Sequence, residues 1–414
     1  MGWKKLLTTV IGAFFGLAAM LVPLPAGAAL PPVIDGQKAD KADRVVVKFK
    51  PGVSEASKRN IHSKCGGRVV KEIPVLDVQV VEVLAGKAEE KAAAYQKEDL
   101  VEYAEPDYVA RAMGIPNDPY FSRQWDMNNT GQTGGKPDAD IDAPEAWDVT
   151  ASEPSVIIAI LDTGIDQDHE DLAGKIVANI NFTTSQTVDD LFGHGTHVAG
   201  IAAAVGNNEK GIAGTAYNAS LMNVKVLDDA GNGYYSWISE GIIWAVEHGA
   251  KVINMSLGGT QPSRTLEQAV NYAWSRGAVL VAAAGNNSTA QPLYPAKYKN
   301  CIAVAATDAS DQKAAFSSYG KWVSVAAPGV SIFSTLPNHS SLIGDYLGVR
   351  DYGILDGTSV AAPHVSGIAA LVWASKYGTS NLAVRKRIEM SADRIAGTGM
   401  YWAHGRANAY NAVH

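Results

Sequence analysis

The chain has 414 residues, 47% of them hydrophobic and 19% charged, with 40 glycines, which excludes a disordered or fibrous protein. That length holds roughly two or three globular domains with a sizeable core. The net charge is −7, and from Gly114 onward 28 Asp and Glu stand against 19 Lys and Arg, so an acidic body without basic runs argues against nucleic acid and anionic membranes as partners.

At the N-terminus Lys4 and Lys5 precede an apolar run from Leu6 to Leu21, and Ala26-Gly27-Ala28 offers a small-residue cleavage site. This is the pattern of a secretory signal peptide over residues 1–28, with an apolar run too short for a membrane span. The expectation is a secreted, extracellular protein with no membrane association after cleavage.

Residues 29–113 read as a small α+β unit. Arg44–Lys50 is a strand ended by Pro51-Gly52, and a helix follows over Ser54–Lys64. Strands at Arg68–Ile73 and Leu76–Val83, a helix over Gly86–Lys97 and a strand at Val101–Val109 complete the order βαββαβ, the ferredoxin-like plan. The plan alone leaves the unit's role open, a ligand-binding module included. Of the two cysteines, Cys65 falls here and Cys301 in the following domain, inside a strand-like apolar run that suits an inert core thiol.

From Pro116 on, nearly continuous apolar runs at Val156–Leu161, Leu221–Val226, Lys251–Ser256, Ala278–Ala283 and Cys301–Ala306 read as strands of a parallel sheet covered on both faces. Helical patterns at His194–Ala204, Tyr235–His248, Leu266–Ser275 and Val360–Ala374 fall between and after them. The fold class is α/β, a doubly wound parallel sheet preceded by the small ferredoxin-like unit. In such a domain ligands bind at the carboxyl ends of strands.

Three motifs carry chemistry. Asp162-Thr163-Gly164 follows a strand directly. An aspartic protease needs two carboxylates sharing a proton, and the chain has no second Asp-Thr-Gly or Asp-Ser-Gly. Gly193-His194-Gly195-Thr196-His197 opens a small-residue helix. Its histidines are spaced too closely for a zincin and lack the intervening glutamate, so His194 suits a base at the helix start and His197 a packed neighbour. In Asp356-Gly357-Thr358-Ser359-Val360, Ser359 opens a helix and reads equally as a cap or as a hydroxyl at the positive helix end. Together Asp162, His194 and Ser359 supply the parts of an activated serine: a neutral imidazole to take the proton and a carboxylate to fix its tautomer.

On these motifs the chain resembles the subtilisin family of serine proteases, whose triad runs Asp…His…Ser along the chain. The likeness is to the secreted, thermitase-like branch and runs from Asn117-Asp118-Pro119 to Gly405-Arg406-Ala407. It implies a serine endopeptidase acting on polypeptides, with catalytic Asp162, His194 and Ser359. Asn286, in Ala283-Ala284-Gly285-Asn286, would donate to the oxyanion. It also implies that Gly231-Asn232-Gly233 and Ser256-Leu257-Gly258 flank an extended substrate, and that Ala283, Ala284, Gly285 and Gly258 line the primary pocket. Small walls lead to an expectation of broad cleavage with a preference for large apolar residues. A narrow processing protease and an inactive binding protein on the same fold are the alternatives.

The resemblance further recasts residues 29–113 as a prosegment that inhibits the enzyme, its tail Tyr108–Met113 in the cleft and the cut near Gly114, leaving 114–414 as a monomeric catalytic domain. It implies a structural Ca2+ held by Asp118, Asp171 and Asn208 and the carbonyls of Val205, Lys210 and Ile212, all hard oxygen ligands. Two departures stand out: Val360 replaces the family's oxidisable methionine after the serine, and residues 338–355 are longer by roughly a dozen residues, an extension expected to form a flap.

Overall fold

The alternation of Val45, Val47 and Phe49 buries one side of the first strand, and this pattern organises the N-terminal part of the computed structural model, which describes residues 44–84, 86–107 and 114–414. The signal peptide, the tail Tyr108–Met113 and the cut after it lie outside the described residues. Contacts divide the described chain into two compact units, 44–107 and 114–414. No helix among the described residues is long and apolar enough to cross a membrane.

The first unit runs β1 (Arg44–Phe49), α1 (Glu55–Cys65), β2 (Arg68–Ile73), β3 (Val78–Glu82), α2 (Ala88–Gln96) and β4 (Val101–Pro106). Its antiparallel sheet has the order β2-β3-β1-β4, with β1 central between β3 and β4. Ser54 caps α1 by accepting from the Ser57 N–H, and Gly66, at φ 69°, ends it. Val45, Val47, Phe49, Ile61, Val81 and Tyr95 form the core. The strand expected from Leu76 starts only at Val78, because Pro74–Leu76 form a short 3-10 turn closed by Asp77 in the left-handed region.

The second unit is built on seven parallel strands: β5 (Ile157–Asp162), β6 (Ile176–Asn181), β7 (Ser220–Lys225), β8 (Val252–Met255), β9 (Val279–Ala283), β10 (Cys301–Thr307) and β11 (Val325–Pro328). Two of them, β6 and β11, escape the hydrophobic pattern. The edge strand β6 is exposed or half-buried throughout, and β11 has only four residues. The main helices are α4 (His194–Ala203), α5 (Tyr235–Glu247), α6 (Arg264–Ser275) and α8 (Thr358–Trp373). The short α3 (Ala143–Trp147) precedes the sheet. Beyond it come the hairpin β12 (Ile332–Thr335) and β13 (Tyr352–Leu355), with α7 (Leu342–Leu347) between them, and after α8 come α9 (Asn381–Ser391) and α10 (Ala409–Val413).

Side chains leave each strand alternately, so the sheet feeds two cores. Ile158, Ile160, Val279 and Val281 pack with α4 and α8, while Ala159, Leu161, Leu280 and Ala282 pack with α5 and α6. Cys65 and Cys301 are buried, unbonded and in different units; burial pushes the Cys301 thiol up to about 12, which makes it inert.

The strand order β11-β10-β9-β8-β5-β7-β6 reverses direction between β5 and β8. At that point the loops leaving neighbouring strands part to opposite sides and open a crevice at the carboxyl ends. Asp162 ends β5, Ser256 follows β8, and Asn286 lies three residues beyond β9. The three nominated stretches from three strands therefore meet at one place.

Candidate active site

Asp162 is fully buried at the last position of β5. Its Oδ1 accepts from the Thr163 N–H at 2.8 Å and from His194 Nδ1 at 2.7 Å. A carboxylate only accepts, so His194 carries its proton on Nδ1 and presents a lone pair at Nε2. Burial pulls the His194 pKa down, but the charge and hydrogen bond of Asp162 outweigh it and hold the ring above its ordinary value. His194 is the first residue of α4 and follows Gly193, whose φ of 104° strongly favours glycine.

His197 does not join His194 as a metal ligand. It is buried, turns Nε2 toward the Gly353 carbonyl at 3.3 Å, and burial lowers its pKa to about 3.

Ser359 is the second residue of α8, half-buried at the helix N-terminus. A β-carbon on Gly357 would stand 2.8 Å from Ser359 Oγ and 3.4 Å from Asn286 Nδ2, so these two polar atoms flank one small space that glycine leaves open. Asn286 is aimed by its other end: Oδ1 accepts from both the Thr358 N–H and the Thr358 hydroxyl at 2.9 Å. The same hydroxyl accepts from the Gly285 N–H at 2.9 Å. Pro363 lies inside α8 and has no N–H for the carbonyl of Ser359 four residues earlier. Ser256 Oγ donates to that carbonyl at 2.6 Å instead, so the edge residue Ser256 also fastens the serine.

Several supporting residues are absent from the motif reading. The buried Asp190 accepts from the Thr163 hydroxyl, the Gly193 N–H, and both the N–H and hydroxyl of Thr196, which locks the loop of Asp162 to the start of α4. An acid four residues before His194, at a helix N-terminus, was the available signal. The ammonium of Lys225, also buried, donates to the Thr163 carbonyl and pairs with Asp229 at 2.9 Å. Nothing in the spacing of an interior strand lysine announces that contact.

The segment 338–355, expected as a flap, is fastened to neighbouring loops. The N–H groups of Leu342 and Ile343 donate to the Leu191 and Phe192 carbonyls at 3.0 and 2.9 Å, just ahead of His194. Asn338 donates through its backbone to Asp166 and through its side chain to Asp168, both at 2.8 Å. His339 Nδ1 donates to the Ser340 carbonyl, and its Nε2 lies 3.3 Å from Asp189 Oδ2. The extension thereby joins the loops that carry Asp162 and His194.

Gly231-Asn232-Gly233 form an accessible edge beside Phe192, whose ring lies 2.8 Å from where a Gly231 β-carbon would be. Just after β8, Ser256 and Leu257 are buried and Gly258 is exposed. Ala283, Ala284 and Gly285 continue from β9, all buried. Leu293, which no motif singled out, packs against both Gly258 and Gly285.

A second cluster unites Asp118, Asp171 and Asn208 with the loop 205–212. Asp118 accepts from the Asn207 and Asn208 N–H groups, at 2.8 and 3.3 Å. Asp171 accepts from Asn208 Nδ2, the Ile212 N–H and the Tyr352 hydroxyl, at 2.9, 2.9 and 3.0 Å. Burial, with the charge of Asp171 adding to it, pushes the Asp118 carboxyl up to about 6. Among the described residues no hydrogen bond reaches the carbonyls of Val205, Lys210 or Ile212.

Residues 153–409, which contain Asp162, His194, Asn286 and Ser359, match the Subtilase family. The chain belongs to the subtilase family. Residues 36–107 match the Fervidolysin N-terminal prodomain, so this subtilase carries a prosegment ahead of its catalytic domain. It is 50% identical over 300 residues to Thermitase of Thermoactinomyces vulgaris, covering 72% of this chain and 99% of the relative. It is 42% identical over 371 residues to Thermophilic serine proteinase of Bacillus sp. (strain AK1), covering 89% of this chain and 86% of the relative. A solved protease of Pseudoalteromonas arctica PAMC 21717 superposes with a TM-score of 0.62 at 32% identity, covering 72% of this chain and 99% of that one. The subtilase is a thermitase-like serine endopeptidase with an α/β parallel-sheet fold.

Proposed function

We propose that Ser359 is the nucleophile, His194 its base and Asp162 the group that orients and charges the base. The observation that carries this is the 2.7 Å bond from His194 Nδ1–H to the buried Asp162 Oδ1. It leaves the Nε2 lone pair to take the proton of Ser359 as Oγ attacks the scissile carbonyl. The resulting oxyanion is held by Asn286 Nδ2 and the backbone N–H of Ser359. When the C–N bond breaks, the imidazolium returns its proton to the departing amine. Water, deprotonated by the same imidazole, then hydrolyses the acyl-enzyme.

Because the base works only when neutral, kcat/KM rises with pH through the His194 pKa. The charge of Asp162 holds that pKa above the ordinary value of about 6.5, so activity is lost on acidification earlier than an isolated histidine would dictate. The pH profile of kcat/KM on a neutral peptide checks this, and a midpoint at or below about 6.5 would contradict it. The Asp162→Asn variant should show both a lower midpoint and a much lower rate.

The polypeptide lies extended between Gly231-Asn232-Gly233 and Ser256-Leu257-Gly258 as an added strand, a mode that the lack of side chains at the glycines supports. Ala283, Ala284, Gly285 and Gly258 wall the primary pocket. Residues 1–28 direct export and are removed, residues 29–113 inhibit the enzyme until it cuts them away, and 114–414 act outside the cell as a monomer free of nucleic acid and membrane.

Asp118, Asp171, Asn208 and the carbonyls of Val205, Lys210 and Ile212 hold a structural calcium ion. Two buried carboxylates whose charges repel, beside carbonyls without donors, fit a hard divalent cation. Asn208 turns its Nδ2 to Asp171, so serving as a ligand requires its amide to rotate. Bound calcium would neutralise the paired charge and tie Asp118 to the loop 205–212. A chelator is expected to lower the melting temperature of the mature enzyme by about 5–10 °C, the effect of a ligand near a hundred times its Kd. Calorimetry with and without the chelator measures it, and an unchanged transition would remove this site.

A further inference from the structure

We propose that Leu293 plugs the primary specificity pocket, so that this enzyme cleaves after small residues such as Ala, Ser and Thr rather than after Phe, Tyr or Leu. The inference rests on the endopeptidase reading and on Gly258 and Gly285 as the facing walls of that pocket. A β-carbon built on Gly258 would stand 2.5 Å from Leu293 Cδ2 and 2.8 Å from its Cγ. A β-carbon built on Gly285 would stand 3.3 Å from the same Cδ2. One methyl group therefore occupies the space that both glycines leave open. Without Leu293, two bare walls would make the slot expected from the small-residue motifs, wide enough for an aromatic ring. With it, a long substrate side chain meets branched hydrocarbon near the entrance.

The main chain of Leu293 is fixed against the pocket wall. The next residue, Tyr294, exchanges two hydrogen bonds with Gly259, N–H to carbonyl in both directions at 2.9 Å. The Leu293 carbonyl accepts from the Lys297 N–H at 2.9 Å, and Pro292 and Pro295 restrict the chain on either side. These bonds keep the main chain of Leu293 against the pocket wall, so clearing the slot takes a rotamer change of its side chain.

Leu293 also lines a cleft of about 360 Å³ together with Thr260, Ala284, Tyr294 and Ser318. The volume for a larger side chain is thus present next to the plug. Removing the isobutyl group should open the slot toward it.

The test expresses the full chain, lets it mature, and measures kcat/KM on chromogenic tetrapeptides that differ only in Ala or Phe at the residue before the cut. The wild type should favour Ala, and Leu293→Gly should shift the Phe-to-Ala ratio by at least ~10-fold toward Phe, within the range that pocket methylenes command. The ratio does not depend on how much variant folds, and Leu293→Ala should shift it in the same direction by less. A wild type that favours Phe, or an unchanged ratio in both variants, would overturn the proposal while leaving the endopeptidase reading intact. No hydrolysis of either peptide, or of denatured protein, by the matured wild type would bring down that reading and this proposal together.

Discussion

Ser359→Ala leaves the full chain uncut, with the prosegment still attached and no peptidase activity. The hydroxyl sits at the N-terminus of α8, beside Asn286 Nδ2, while the neighbouring hydroxyls of Thr358 and Ser256 are engaged with Asn286 Oδ1 and the Ser359 carbonyl. Loss of the equivalent serine in subtilisin costs about 10⁶-fold in kcat, and the same order is expected here. Ser359 is only half-buried and its carbonyl remains held by Ser256, so folding should change by less than about 1 kcal/mol. Gel electrophoresis of the purified variant checks the processing. Adding a trace of wild-type enzyme should restore the cut, which separates a lost nucleophile from a misfolded precursor. Normal self-processing by the variant would refute the assignment.

Asn286→Ala lowers kcat by about 10²–10³-fold and leaves KM nearly unchanged, because the amide meets charge that exists only in the transition state. The structural contribution of Asn286 complicates this change, since its Oδ1 accepts from both donors of Thr358. Thr358→Val removes the hydroxyl from that arrangement while leaving Nδ2 in place, and should cost far less in kcat than Asn286→Ala. Steady-state kinetics of the two variants separate donation to the substrate from support of the loop. A loss below about tenfold, or one carried by KM alone, would take Asn286 out of the oxyanion site.

Much of the architecture was legible because the determining forces were local. Continuous apolar runs exposed β5, β7, β8, β9 and β10, and Asp162, Ser256 and Asn286 stood at or just past the ends of three of them, whereas His194 and Ser359 open helices. The edge strand β6 has no second buried face and so left no such trace. The motifs likewise exposed the groups proposed to act on substrate, and the geometry unites Asp162 with His194 and Asn286 with Ser359. The groups that hold these in position were less readable. Asp190, Lys225 and Thr358 act through contacts with residues far along the chain, which only the folded arrangement creates.

Residues 338–355, expected as a flap, bond through the N–H groups of Leu342 and Ile343 and through Asn338 to the loops before His194 and after Asp162. The proposed plug at Leu293 rests on the same kind of contact, because small residues open a wall only when nothing from the neighbouring loop fills the gap. Composition of the wall does not reveal what stands against it.

The most direct test of the account is covalent. Matured enzyme treated with an aryl sulfonyl fluoride near pH 8, where the imidazole is neutral, is digested and its peptides are weighed by mass spectrometry. One adduct is expected, on the peptide that carries Ser359, formed in step with loss of activity and almost absent in His194→Ala. An inactivating adduct on any other residue, or equal labelling of Ser359 without His194, would contradict it.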